Sequence, residues 1–171
     1  PVPRSSAYLR ESLTAVLNAY DPQRAHSGPR NMVLVGHSMG GILTRSVLTD
    51  VGSRVYDAAF TEPIESLRSP DDVKAHLREV FLYEPLTDAR RAVFVAAPLR
   101  GAPMADGVLA SIGRGLLRLP DELRDVGAAL LEFDRDAMAP GFAQLRHGVP
   151  TSVHNLSPSS PFLLAYESSP L

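Results

Sequence analysis

A chain of 171 residues that is 44% hydrophobic and 21% charged suits one soluble globular domain with a core of its own. Its 17 basic and 19 acidic residues are interspersed and leave a net charge of −2, which gives no electrostatic basis for nucleic acid or an anionic membrane as partner. The lack of cysteine excludes a disulfide framework, a thiolate nucleophile and a cysteine metal site, and no apolar run approaches the roughly 20 residues that span a bilayer.

The first predicted element is a helix. Ser5 and Ser6 are its candidate caps, and Leu9, Leu13, Val16, Leu17 and Tyr20 recur at helical spacing as one apolar stripe that ends near Pro22. A polar linker from Asp21 to Arg30, containing Gly28-Pro29, follows it.

Residues 31 to 41, Asn-Met-Val-Leu-Val-Gly36-His37-Ser38-Met39-Gly40-Gly41, carry the strongest signal in the chain. Met32 to Val35 are consecutively apolar, as in a parallel strand covered on both faces, and the strand is expected near 31–36. Beyond the glycines, Leu43, Val47 and Val51 take helical spacing, with Thr44, Arg45, Thr49 and Asp50 as a polar side. A serine between strand and helix, framed by glycines, is the layout of a nucleophile elbow. Ser38 is then presented on a turn so sharp that a side chain at Gly36 or Gly40 is expected to collide with backbone, and the Met39 N–H is placed to stabilise an oxyanion.

Between Gly52 and Pro70 the pattern is irregular. Ser69 is a candidate N-cap with Pro70 at the first helical position and Asp71 and Asp72 in the first turn, and Val73, Leu77, Val80 and Phe81 face inward. After Pro85, a second buried strand is expected near 92–98, within Arg90 to Pro98. Two such strands joined by helical material predict an α/β class with a parallel sheet and a right-handed crossover. From Met104 to Met138 two amphipathic helices are expected, one with Val108, Leu109, Ile112, Leu116 and Leu117, the other with Leu123, Val126, Leu130 and Leu131, separated by Leu119-Pro120-Asp121. They read either as packing helices or as a cap over the serine. Residues 1–103 thus form the core segment with the elbow, and 104–171 a helical, cap-like and linker region of the same domain. The prolines after Ala139 leave room only for short helices.

With these elements in place, the chain resembles the α/β-hydrolase superfamily, in particular its lipase- and esterase-like bacterial members. The elbow carries the resemblance, aided by Val93-Phe-Val-Ala-Ala-Pro98-Leu99-Arg100-Gly101-Ala-Pro-Met-Ala-Asp106 and by Leu156-Ser-Pro158-Ser-Ser-Pro161-Phe-Leu-Leu. Leu99 stands where the family pattern often has histidine. The resemblance implies a partial α/β-hydrolase fold, since the superfamily's sheet has about eight strands and two are found here. It also implies a second oxyanion donor from a loop preceding Pro1, and a catalytic acid and histidine following Leu171. The implied activity is cleavage of carboxylic esters through an acyl-enzyme on Ser38, with a small-molecule or lipid ester as partner and no cofactor. An acyltransferase would use the same serine, and a non-catalytic binding protein would keep the fold without the chemistry.

Within the chain, Asp106 with His147 or His154 follows Ser38 in the order a triad requires, although no strand separates them to hold an acid and a base rigidly. His37 is the variable residue of the elbow and reads as packing beside the turn. His26 lies in the linker and His76 on a helix. Asp121, Glu122, Asp125, Glu132, Asp134 and Asp136 lack a calcium-loop pattern and read as a solvated helix face, and no metal site is expected. Phosphate- and dinucleotide-binding glycine motifs are absent.

Overall fold

The computed structural model describes residues 2–102, 121–140 and 154–170. Helix α1 (Val2–Tyr20) leads through a 3-10 turn (Pro29–Asn31) into strand β1 (Met32–His37), followed by α2 (Met39–Leu48), the short α3 (Arg54–Asp57) and α4 (Asp71–Phe81). Strand β2 (Ala89–Val95) comes next, and after it α5 (Asp121–Phe133) and α6 (Pro161–Glu167). The two strands pair in parallel, from Met32 opposite Ala89 to His37 opposite Val95, with an irregularity between Met32 and Val33. The α/β reading holds, although β2 spans 89–95 rather than 92–98. It stops at Val95 because Ala96 takes a φ of 46° and Pro98 removes a ladder donor.

Covering of the sheet on both faces does not hold among the described residues. The period of two along a strand sends Gly36 towards α2, while Val33, Val35, Val93 and Val95 stand on the opposite face at 49, 67, 47 and 45% exposure. The core instead lies among the helices. Val47, Val51 and Val55 are fully buried, and a run of rings joins Tyr56 to Phe60 (centroids 4.9 Å), Phe60 to Phe81 (6.0 Å) and Phe81 to Phe162 (6.0 Å). This ties α3, α4 and α6 into one apolar body.

Three sequence expectations shift once the packing is seen. Along α1 the buried positions are Val2, Pro3, Ser6, Ala7 and Leu17, whereas Val16 and Tyr20 of the expected stripe are 52 and 80% exposed. Ser6 is not a cap: its hydroxyl accepts a hydrogen bond from Ser46 on α2 at 2.5 Å. Thr44 and Thr49, read as part of the polar side of α2, are buried, and the Thr49 hydroxyl is satisfied locally by donating to the Arg45 carbonyl at 2.7 Å.

Helix α4 begins at Asp71 with Pro70 at the cap position, and Val73, Leu77, Val80 and Phe81 are buried as expected. Ser69 does not cap it, since its hydroxyl bonds to Asp134. Asp134 is the exception to the solvated acidic face: only 2% exposed, it follows α5 and accepts the backbone N–H groups of Arg68 (2.6 Å) and Ser69 (2.8 Å). Asp125, Glu132 and Asp136 are exposed. The first helical segment expected after Met104 lies outside the described residues. Among the described residues no helix is long and apolar enough to cross a membrane, and no group of side chains could hold a metal ion.

Candidate functional site

Parallel pairing points the C-terminal ends of β1 and β2 in the same direction, and Ser38 is the first residue beyond β1. Its backbone, at φ 52° and ψ −129°, lies in a region that side chains other than glycine rarely adopt. Two hydrogen bonds hold it there. The Ser38 N–H donates to the Val95 carbonyl (3.0 Å), and the Ser38 carbonyl accepts the Gly41 N–H (2.9 Å). Ser38 is exposed, and Met39 begins α2, so the serine stands at the positive end of a helix whose first turn carries no acidic residue.

The glycines around it have unequal roles. A Cβ on Gly36 would lie 2.5 Å from the Gly41 Cα and 2.7 Å from both the Gly40 carbonyl oxygen and the Thr44 Oγ1. This is the collision the motif predicts. At Gly40 nothing lies within 4 Å of the corresponding position, so the expected crowding there is absent. The tight position is Gly41, whose added Cβ would run into the Ala97 methyl and come within 3.3 Å of the Gly36 carbonyl oxygen. The elbow therefore closes through Gly36 and Gly41. Sequence reasoning missed the Gly41–Ala97 contact; the signal was a second glycine after the motif facing two small residues at the end of the next strand.

Helix α2 is anchored at its far end. Arg45 donates to the Tyr166 carbonyl (2.9 Å), Tyr83 donates through its hydroxyl to the Ser46 carbonyl (3.1 Å), and the Val47 carbonyl accepts the Leu86 N–H (2.8 Å). Next to it, the Asp50 N–H reaches the Pro170 carbonyl (3.2 Å). The serine is thus strained on a rigid mount. His37, exposed on the face opposite α2, does not sit under the turn as the packing reading expected.

The chain after β2 is also constrained. Leu99 N–H closes onto the Ala97 carbonyl (2.9 Å), Gly101 takes a φ of 85°, and Ala102 N–H donates to the Leu156 carbonyl (2.9 Å). A Cβ on Gly101 would come within 2.6 Å of the Pro158 nitrogen. This stitching brings the 3-10 turn His154–Leu156 against the turn that follows β2. Of the triad candidates, only the backbone of His154 falls among the described residues; Asp106 and His147 lie outside them. An open groove of about 390 Å³ runs beside β2, lined by Leu48, Pro85, Leu86, Ala92 and Phe94 among others, and does not include Ser38.

Residues 2–88, from α1 to the approach of β2, match the family model described as PGAP1-like alpha/beta domain. The match takes in the elbow but not the two supporting segments, 93–106 and 156–164. No curated protein and no solved structure matches the chain. With half of its length matched, the chain belongs to the PGAP1-like alpha/beta domain family, within the alpha/beta hydrolase-like superfamily.

Proposed function

We propose that the protein is a serine hydrolase that cleaves carboxylic esters through an acyl-enzyme on Ser38. The observation that carries this reading is the exposed Ser38, held at φ 52° between a strand and the first turn of α2 by glycines that admit no side chain at 36 or 41. Strain at an exposed nucleophilic side chain is the kind that persists where function requires it. The Ser38 hydroxyl attacks the ester carbonyl carbon as a histidine takes its proton, and the Met39 N–H donates to the oxyanion of the tetrahedral intermediate. The alcohol leaves with that proton, and water then attacks the acyl-enzyme. One such N–H donor contributes roughly 100- to 1000-fold to rate. Within this chain His154 is the base candidate favoured by position, because its turn is bonded to the one that follows β2. Asp106 and His147 are the remaining in-chain candidates.

The test is labelling of the full-length protein with a fluorophosphonate probe, alongside hydrolysis of p-nitrophenyl esters of graded acyl length. Ser38→Ala abolishes both if the assignment is right, and labelling that survives the substitution overturns it. Parallel His154→Ala and His147→Ala variants locate the base: loss of labelling in one of them places it in this chain, and retention in both places it elsewhere.

A further inference from the structure

We infer that Ala97 is a positioning residue for the catalytic turn: its methyl, packed against Gly41, sets where the first turn of α2, and with it the Met39 N–H, stands relative to Ser38. This rests on the serine-hydrolase reading above. Three observations carry it. First, the space for a Cβ at Gly41 is already filled by the Ala97 methyl, so the backbone of the second residue after Met39 is in direct contact with that side chain. Second, Ala97 cannot easily yield. Ala96 before it has a φ of 46°, Pro98 after it restricts its backbone, the Leu99 N–H closes onto its carbonyl, and the chain is pinned again at Ala102–Leu156 and Gly101–Pro158. Third, α2 cannot retreat along its axis, because its other end is held through Arg45, Ser46 and Val47. The first turn of α2 is therefore clamped between a fixed end and a methyl group. A residue larger or smaller than alanine at 97 moves the first turn of α2 and, with it, the oxyanion donor.

The contact can be inverted, and that separates positioning from bulk stability. Gly41→Ala puts a second methyl where the Ala97 methyl stands. In the Gly41→Ala/Ala97→Gly double variant a single methyl remains, now on the helix, with the Gly36 carbonyl oxygen at 3.3 Å and the residue 97 Cα at 3.5 Å as its nearest neighbours. In the full-length protein, Gly41→Ala is expected to lower kcat for ester hydrolysis and the fluorophosphonate labelling rate about 10-fold, with KM changed less than about 3-fold, because a displaced oxyanion donor acts on the transition state. The swap recovers most of that loss. Ala97→Gly alone lowers kcat without a clash, which keeps the test open if Gly41→Ala fails to fold.

The readout independent of activity is the Met39 amide resonance in ¹H–¹⁵N spectra, which shifts in both single variants and returns towards wild type in the swap. Changed melting temperatures with unchanged kcat, labelling rate and Met39 resonance would overturn the positioning role. A swap no better than the worse single variant would do the same. If the wild type neither labels nor hydrolyses esters, the serine-hydrolase reading fails, while the Met39 resonance still decides whether Ala97 sets the turn.

Discussion

Ser38 and Ala96 are the first residues beyond two paired parallel strands, and both have positive φ, 52° and 46°. The last paired positions are His37 and Val95, and the Ser38 N–H bonds to the Val95 carbonyl, so the two unfavourable conformations sit next to each other. Removing the side chain at either should relieve strain. Ser38→Gly is expected to raise unfolding stability by about 1 kcal/mol, the strain relieved less the entropy that glycine adds to the unfolded chain, while ending fluorophosphonate labelling. Chemical denaturation of wild type and variant checks this, and a less stable Ser38→Gly protein would show that the turn is relaxed. Ala96→Gly should gain about 0.5 kcal/mol by the same measurement.

The unequal crowding around the elbow predicts opposite signs for two substitutions that the motif alone would treat alike. Gly36→Ala forces a methyl into backbone at 2.5 Å and is expected to cost about 3 kcal/mol or to prevent folding. Gly40→Ala meets nothing within 4 Å on the first turn of a helix, where alanine is favoured by about 0.5–1 kcal/mol over glycine. Melting temperatures of the pair decide it, and a Gly40→Ala variant as damaged as Gly36→Ala would refute the assignment of the tight position to Gly41.

The strand, turn and helix around Ser38 were legible because local chemistry dictates them: an apolar run, a glycine without room for Cβ, and helical spacing from Leu43 to Val47, although α2 ends at Leu48 and leaves Val51 of the expected stripe beyond it. What escaped reading was set by partners distant in sequence. Nothing near Gly41 announces Ala97, and nothing in the acidic series marks Asp134 as the member that turns inward to residues 68 and 69. The buried side of α1 departs from the apolar stripe for the same reason. Which side of a helix is buried depends on its neighbours, and here α1 packs on α2 and α4 with Ser6 and Leu17 buried and Tyr20 left in solvent.

Asp134 gives the acid side of the stability profile. Burial raises its pKa, but the Ser69 hydroxyl, the N–H groups of Arg68 and Ser69 and the Arg68 charge outweigh burial and hold it below the ordinary aspartate value. A depressed folded pKa means that the stabilisation is complete above the unfolded value of about 3.9 and is lost as pH falls through the folded one. Asp134→Asn should therefore cost about 2 kcal/mol at pH 7, because two backbone donors and a hydroxyl lose a charged acceptor, and less at pH 3, below the unfolded value. Urea denaturation at the two pH values measures the difference; an equal loss at both would show that the charge contributes nothing.

The tyrosines set the alkaline limit. Burial, with smaller contributions from the Tyr166 hydroxyl, drives the Tyr83 pKa far upward against the pull of the Arg10 guanidinium, which lies 3.4 Å from its ring centroid. Tyr166 is raised by burial too, opposed by Tyr83, Arg10, Ser6 and Ser46, and Tyr56 is pushed up to about 12, by burial first and then by nearby carboxylates. Folded pKa values above the ordinary phenol value of about 10 mean that the unfolded chain releases these protons first. Stability is then complete below about pH 10 and declines as pH rises through the folded values. Tyr83→Phe removes one of these ionisations together with the bond to the Ser46 carbonyl, at a cost of about 1 kcal/mol at pH 7. The variant should also lose stability less steeply between pH 9 and about pH 11 than wild type. Thermal melts across that range, with absorbance at 295 nm reporting phenolate formation, provide the measurement, and parallel slopes for the two proteins would remove Tyr83 from the account.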